Sequence, residues 1–284
     1  MARPSILAAL LGLAAFAVAR LDADEPKLKD IVRRMGAYVD SYGEKASIVV
    51  ATERYTQRVK DGAKTTPRER VTVADFAIIR AQGFGGWVGF RDVVEADGVR
   101  MTDHEDRLLQ VLERVSGNFD EATRLSDESA RFNIGSIARN FNVPTAALFF
   151  FNRDNLERFK FTRRGGDSGL WEIAFRETEH PTIVRTPEGR SIPSEGTVWV
   201  NAADGTVVRT RIRLAFPGRG SAFSSSPGEA VVDVTYAHVP AVGLWLPATM
   251  AESYVMARGG TAERITTEAK YSDYRVFQTS GRIK

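Results

Sequence analysis

Long segments in which apolar and polar residues alternate are the feature that most constrains the fold of this chain. Segment 170–176 alternates in this way, which is the pattern of a half-buried β-strand. The pair Asp204-Gly205 separates two such segments and is the strongest hairpin signal in the sequence. Because strands and helices do not alternate along the chain, the sequence predicts a single antiparallel sheet.

The predicted strands are 47–59, 70–80, 87–95, 146–151, 159–163, 170–176, 197–200, 206–214, 231–239, 245–256 and 264–276. Asp61-Gly62, Asp97-Gly98 and Gly165-Gly166 supply further turn signals. An amphipathic helix is predicted over Lys27 to Tyr42, because its apolar residues recur at spacings of three and four.

A helical insertion is predicted between the strands, at about residues 103–142. Its first helix is 103–115, and its second begins at Asn118 or Asp120 and ends near Arg131. A third short helix is predicted over Asn133 to Asn140, before Pro144.

The first nineteen residues resemble a secretory signal. Arg3 precedes the apolar run Ile6 to Val18, and Ala17-Val18-Ala19 is a small-residue cleavage motif. A retained anchor is the alternative, but about 14 apolar residues are fewer than the roughly 20 that span a bilayer. We therefore predict a signal peptide over 1–19, cleavage near Ala19, a single domain over 20–284, and a location in the bacterial periplasm or outside the cell.

Composition excludes several classes of function. The chain has no cysteine, so thiol catalysis, zinc–thiolate sites and lipid attachment after the apolar run are excluded. Its 39 Lys and Arg residues against 36 Asp and Glu residues give a net charge of +3, too small to indicate a nucleic-acid partner. No later segment is apolar enough to span a membrane, so we predict that the protein is not an integral membrane protein.

No catalytic or metal-binding residue is predicted. Gly166-Asp-Ser168-Gly matches the nucleophile motif of trypsin-like proteases, but the required upstream histidine context is missing and a hairpin turn explains the motif. His104 lies in an acidic stretch, 103–106, that is better explained by helix capping than by a metal site. No cofactor motif is present: Gly83-Phe-Gly-Gly is not followed by a helix.

Three arginines, Arg209, Arg211 and Arg213, alternate with apolar residues and therefore share one face of the sheet. A solvated outer face is the simpler interpretation. A basic stripe for an anionic lipid or a partner is the alternative.

Aromatic residues are the best candidates for a binding site. Core packing is their default role, but a single curved sheet leaves a concave apolar face on which an apolar ligand can bind. The predicted lining residues of such a cavity are Trp87, Phe90, Trp171, Phe175, Trp199 and Trp245, and Phe149-Phe150-Phe151 is a further aromatic run.

The order of elements resembles a known superfamily. The initial helix, the segment Gly196-Thr-Val-Trp199-Val-Asn201 with its Asp204-Gly205 turn, Leu244-Trp-Leu-Pro247 and the final aromatic segment Tyr271–Phe277 resemble the fold of the lipoprotein carrier LolA, its receptor and the regulator RseB. The likeness is strongest over residues 196–277. The whole chain is also similar to a secreted bacterial protein family of unknown activity.

The resemblance implies an unclosed β-barrel with helices over its concave mouth. The helical insertion at about 103–142 and Phe149-Phe150-Phe151 depart from the compact carriers. The predicted fold is therefore α+β: a single antiparallel curved sheet, an unclosed β-barrel, with an N-terminal helix and a helical insertion over the concave face.

The resemblance also implies a non-enzymatic periplasmic binding or carrier protein whose ligand is an acyl chain, a lipid or a lipidated protein. A periplasmic sensor or scaffold that binds a protein partner is the alternative. A hydrolase based on His104 or Ser168 is the weakest hypothesis, because no catalytic constellation accompanies either residue.

Overall fold

The structure is a computed structural model. It describes residues 25–46, 48–62, 66–80, 87–101, 130–136, 139, 143–167, 169–186, 188–216, 228–258 and 261–276. The predicted signal segment 1–19, His104, Ser168 and most of the predicted helical insertion lie outside these residues.

Eleven strands form one antiparallel sheet with the order β4-β3-β2-β1-β11-β10-β9-β8-β7-β6-β5. They are β1 Ile48–Asp61, β2 Arg68–Arg80, β3 Trp87–Ala96, β4 Val99–Arg100, β5 Phe159–Gly166, β6 Leu170–Glu177, β7 Ser194–Asn201, β8 Val207–Phe216, β9 Gly228–Val239, β10 Leu244–Arg258 and β11 Thr261–Val276. The edge strands β4 and β5 are not paired to each other, so the sheet does not close. The predicted single, unclosed antiparallel sheet of an α+β protein is therefore confirmed.

The two faces of the sheet differ in burial. On β1, Val49, Tyr55 and Val59 are buried, whereas Arg54 and Lys60 on the other side are exposed. We call the side that carries Tyr55 the inner face and the side that carries Arg54 the outer face. The main hydrophobic cluster consists of inner-face residues and the helices that cover them, as expected when apolar surface leaves water on one side of a sheet.

Helix α1, Leu28–Lys45, covers part of the inner face and confirms the predicted N-terminal helix. Its apolar stripe of Ile31, Met35 and Val39 is buried. The β7–β8 turn contacts the helix backbone, because a Cβ on Gly205 would lie 2.3 Å from the carbonyl carbon of Arg34. Glycine is required at this turn, where φ is +82°, and the predicted Asp204-Gly205 hairpin is confirmed.

The predicted strand 146–151 is wrong, because Ala146–Phe150 forms a short helix, α2. A 3₁₀ helix, Leu156–Arg158, connects it to β5. A short apolar run does not distinguish a strand from a buried helix by periodicity. Here the helical conformation turns Phe150 and Phe151 towards other aromatic residues of the inner face.

The predicted helix 133–140 is also wrong where the structure describes it. Residues 133–136 are irregular, and Gly135 has a φ of +100°, which ends any helix. The backbone of these residues is hydrogen-bonded to side chains of the sheet instead.

The predicted turn at Gly165-Gly166 belongs to β5, which contains a bulge between Arg163 and Gly165. The chain turns afterwards, at Asp167. That carboxylate accepts the backbone N–H groups of Gly169 at 2.8 Å and Leu170 at 2.9 Å. These hydrogen bonds, the one from Leu170 first, lower the pKa of Asp167. The Gly-Asp-Ser-Gly motif thus holds an Asx turn.

Candidate functional site

Aromatic side chains fill the inner face near β5 and β6. The Phe175 ring lies edge-on to Phe151 at 4.9 Å and to Phe159 at 5.9 Å between centroids. Phe150 stacks on Phe159 at 5.7 Å. Because α2 and β5 supply these rings, this half of the inner face is packed by the chain itself.

The structure does not bring the six predicted lining residues together. Trp171 and Phe175 share the inner face of β6, and both side chains are 2% exposed. The Arg163 guanidinium covers the Trp171 ring at 3.9 Å. Trp199 lies on the outer face opposite Arg209, whose guanidinium is 4.6 Å from the ring centroid.

The other three predicted residues are dispersed. Phe90 is buried opposite Ala77 on the side of β3 away from the inner-face residue Arg91. Trp245 is half-buried opposite His238, near the β9–β10 turn. Trp87 begins β3, and its side chain lies outside the described part of the structure.

The arginine stripe on β8 is neutralised by acidic neighbours on the outer face. Arg209 donates to both carboxylate oxygens of Asp233, at 2.9 and 2.7 Å. Arg213 pairs with Glu195 and Glu229, both at 2.8 Å. The solvated outer face is therefore the correct interpretation of this stripe, and hydrogen bonding to Asp233 raises the pKa of Arg209.

The inner face has a second, polar half, at β1, β10 and β11. Gln57, Thr267 and Glu252 stand side by side in one row across these three strands. Each of the three residues is at most 3% exposed to solvent. Buried polar groups need hydrogen-bond partners, so the partners of these three side chains show which contacts hold them in place.

Glu252 accepts three hydroxyl hydrogen bonds. Its donors are Tyr55 at 2.7 Å, Thr267 at 2.5 Å and Tyr254 at 2.5 Å. Burial raises the pKa of Tyr55 and Tyr254, and the neighbouring Glu252 carboxylate raises both further. The two phenols therefore remain protonated donors.

A buried ion pair lies beside this row. Arg91 of β3 donates from Nε and Nη2 to the Glu53 carboxylate of β1, at 2.5 and 3.0 Å. Burial disfavours the guanidinium charge, but the attraction of Glu53 outweighs it and raises the pKa of Arg91. The pair links β1 to β3 across β2. On β2, the centroid of the Phe76 ring lies 4.7 Å from the guanidinium carbon of Arg91.

A segment that crosses the polar half, residues 130–136 and 139, is fastened by side chains; we call it the crossing segment. Gln57 donates to Phe132 O at 3.2 Å and accepts the Ile134 N–H at 3.1 Å, as a neighbouring strand would. Glu263 accepts the Ser136 N–H at 2.9 Å and also the Ser136 hydroxyl. The segment thus makes side-chain contacts with the sheet that can be broken without unpairing a strand.

Arg139, on the crossing segment, is fully buried. Its Nη2 donates to Gln57 at 2.7 Å and to Ile134 O at 2.9 Å, and the guanidinium lies 5.6 Å from the Tyr254 ring centroid. Its Nε and Nη1 have no hydrogen-bond partner among the described residues. Unsatisfied donors on a buried guanidinium are costly, which makes them candidates for binding a polar group of a ligand.

This polar half was not predicted from the sequence, although the alternation of polar and apolar residues contains its signal. On β1, polar Glu53 and Gln57 occupy the register of the buried residues Val49, Tyr55 and Val59. Glu252 falls in the buried register of β10 in the same way. A polar residue at an inward position of a half-buried strand predicts a buried network.

Within the described residues, no group of three or more His, Asp and Glu side chains is arranged to hold a metal ion. None of the helices in that part of the chain is both long and apolar enough to cross a membrane.

Neither a protein-family model nor a curated protein matches the sequence. The structure is similar to that of a DUF1329 family protein from Desulfovibrio piger, with a TM-score of 0.30 and 11% identity over 89% of this chain and 92% of that one. It is also similar to a LolA superfamily protein from Nitrosomonas europaea, with a TM-score of 0.32 and 9% identity over 87% and 96%. A third likeness, to the Pseudomonas aeruginosa MucA/MucB complex, has a TM-score of 0.22 and 8% identity over 88% and 99%.

These likenesses concern the fold alone. At TM-scores of 0.32 and below they carry no argument about ligand, partner or activity.

Proposed function

We propose that this chain is a non-enzymatic periplasmic protein that binds an acyl chain carrying a polar or anionic end group, as in a lipid or a lipidated protein. The binding site is the polar half of the inner face, under the crossing segment. The signal-like N-terminus supports the location, with cleavage near Ala19, and Edman sequencing of the exported protein tests it.

One observation carries this proposal: the guanidinium of Arg139 is fully buried, and two of its nitrogens, Nε and Nη1, have no acceptor among the described residues. A carboxylate, phosphate or carbonyl oxygen of a ligand satisfies such donors with charge-assisted hydrogen bonds. Met250, Ile265 and Ala269 on the adjoining strands are buried and apolar, which suits an acyl chain. The ligand therefore binds with its polar end at Arg139.

Comparison of palmitate with hexadecanol tests the proposal, because the two differ only in the end group. We expect palmitate to displace a fluorescent acyl probe from the wild-type protein at a concentration at least about tenfold lower than hexadecanol does. Arg139→Gln removes this preference, and Arg139→Lys restores part of it. Arg153→Gln, a change at an exposed arginine paired with Asp40, is the matched control and keeps the preference.

The acyl-binding proposal is contradicted if the wild-type protein binds neither palmitate nor hexadecanol and carries no acyl species when it is purified gently from its host. Thermal denaturation of each variant separates unfolding from loss of the end-group contact. An Arg139→Gln protein that is folded and still prefers palmitate also contradicts the proposal.

The second candidate is a sensor or scaffold that binds a protein partner. The aromatic half of the inner face favours it, because Phe150, Phe151, Phe159 and Phe175 already fill that surface. A partner that remains bound in a one-to-one complex after the protein has been stripped of lipid supports the scaffold. A partner that is lost on stripping supports the carrier.

Catalysis has little structural support. Asp167 of the protease-like motif is occupied by two backbone N–H groups of its own turn. We therefore propose that the motif is structural.

A further inference from the structure

The outer face of β1 and β11 carries a concentration of positive charge. Arg54 of β1 stands directly opposite Lys270 of β11, and Lys60 stands directly opposite Arg264. All four side chains are exposed. We call these four residues the basic patch.

Within the described structure none of the four residues of the basic patch forms a salt bridge, and Glu268 of β11 is exposed on the same face, opposite Thr56. Like charges directly opposite each other across two strands destabilise a sheet. A neighbouring arginine, Arg58, does have a partner, since it pairs with Glu69 at 2.7 Å. Two like-charged pairs on one surface are therefore a cost to folding that an external anion can relieve.

The β8 stripe on the same outer face is a natural contrast. Arg209 and Arg213 each pair with acidic neighbours, so that surface has little free positive charge. Strand order places β8 three to four strands from the basic patch, about 14–19 Å at roughly 4.8 Å per strand. This separation exceeds the Debye length of about 8 Å at physiological ionic strength, so the two surfaces act independently.

The surroundings of the basic patch decide which anion it fits. One carboxylate, Glu268 of β11, lies on this surface between Lys270 and Thr266, so the patch and this residue together carry a net charge of +3 (four cations less one carboxylate). Apart from Glu268 and the Arg58–Glu69 pair, the outer-face residues between and beside the four cations are small or aliphatic: Thr56, Thr266, Thr249, Ala251, Ser253, Val71, Val73 and Val255. Protein–protein hot spots need aromatic anchors and desolvated pockets, and the outer faces of β1 and β11 carry no aromatic side chain in this region. A flat cationic surface without anchors is suited to diffuse attraction by many phosphates.

We propose that the basic patch docks the protein on an anionic lipid bilayer. This inference goes beyond the proposed function and is independent of it, because it concerns the opposite face of the sheet from Arg139. Docking on the outer face leaves the crossing segment and the inner face directed away from the membrane.

Vesicle co-sedimentation tests the docking. We expect the full-length mature protein to bind mixed phosphatidylglycerol–phosphatidylcholine vesicles, to ignore phosphatidylcholine vesicles, and to be released as salt is raised. Arg54→Gln combined with Lys270→Gln removes one facing pair. At about fivefold per basic residue, this double variant should lose about 25-fold in its partition onto the anionic vesicles.

Arg209→Gln combined with Arg213→Gln is the matched control, because it changes the net charge by the same amount on the same face. It should keep partition within a few-fold of the wild type. Circular dichroism should show the Arg54/Lys270 variant to be folded, with a melting temperature equal to or above the wild-type value, since a repulsive pair has been removed.

Three results overturn the proposal: no binding of the wild type to anionic vesicles, unchanged binding of the Arg54/Lys270 variant, or an equal loss in both double variants. The first of these redirects attention to an acidic protein as the occupant of the patch. Palmitate binding, measured in parallel, should be unchanged in both double variants, so failure of docking is distinguishable from failure of the acyl site.

Discussion

Arg91 of β3 and Glu53 of β1 form a bidentate ion pair on the buried inner face, with N–O distances of 2.5 and 3.0 Å. The side chain of Glu53 is 0% exposed and that of Arg91 is 6% exposed, so neither charge is compensated by water. The pair reaches over β2, and it therefore fixes the relative positions of three strands beside the proposed ligand site.

Removing one member of this pair should be strongly destabilising. Arg91→Met leaves the Glu53 carboxylate buried and unpaired, and we expect a loss of about 3–5 kcal/mol in the free energy of unfolding. The double variant Arg91→Met/Glu53→Leu should recover much of that loss, because no uncompensated charge remains. Urea denaturation of the three proteins measures this. A double variant as unstable as Arg91→Met would contradict the argument.

Gly135→Ala should detach the crossing segment from the sheet. A Cβ at this position would lie 2.5 Å from Ile265 Cδ1 and 2.7 Å from Glu263 Oε1, and φ is +100°. Hydrogen exchange at Ile134 and Ser136 should become faster, because their N–H groups lose their acceptors on Gln57 and Glu263.

Gly98→Ala is the control for this experiment. It also has a positive φ, of +82°, but nothing lies within 4 Å of an added Cβ. It should cost about 1 kcal/mol of backbone strain and leave exchange in the crossing segment unchanged. Equal acceleration in both variants would show that the close approach to Ile265 and Glu263 is unimportant.

Tyr55→Phe should destabilise the protein more than Tyr236→Phe. The Tyr55 hydroxyl donates to the buried Glu252 carboxyl group, and its loss should cost about 1.5–3 kcal/mol. The Tyr236 hydroxyl donates at 2.8 Å to the backbone carbonyl of Pro144, a neutral acceptor, and its loss should cost about 0.5–1.5 kcal/mol. Thermal unfolding at neutral pH compares the two. The reverse order would mean that Glu252 is adequately bonded by Tyr254 and Thr267 alone.

Asp167 should make a pH-dependent contribution to stability. Its pKa is lowered in the folded protein by the N–H groups of Leu170 and Gly169. A carboxyl group with a lowered pKa stabilises the fold above its unfolded pKa, and this contribution disappears as the pH falls through the folded pKa. The melting-temperature difference between the wild type and Asp167→Ala should therefore be largest near neutral pH and shrink in acid.

Asp154→Ala, a change at an exposed aspartate on the α2–β5 connection, provides the comparison. Its melting-temperature difference from the wild type should be small, because the side chain of Asp154 accepts no hydrogen bond within the described residues. A similar profile for both alanine variants would show that the turn hydrogen bonds do not stabilise the folded state.

Period-two alternation and Asp-Gly turns were sufficient to predict most of the sheet, because one buried face specifies both strand type and register. They failed at 146–151, where an apolar run is compatible with either a strand or a helix. They also failed at 133–136, whose conformation is determined by Gln57 and Glu263, residues distant in sequence.

The proposed site was harder to predict than the fold. Trp199 and Phe175 are similar in sequence context, yet they lie on opposite faces, because the face of each depends on its own strand register. The burial of Arg139 could not be predicted from the sequence, because it results from contacts with Gln57 and Ile134 that form only in the folded chain.

The unclosed sheet has two edge strands, β4 and β5, and both are poor templates for pairing with a further strand. β4 is only two residues long, and β5 has a bulge between Arg163 and Gly165 that interrupts the regular spacing of its backbone donors and acceptors. Short edge strands and β-bulges are among the features by which natural sheets resist edge-to-edge aggregation. An open sheet of eleven strands can in this way remain open towards a ligand without growing into a fibre.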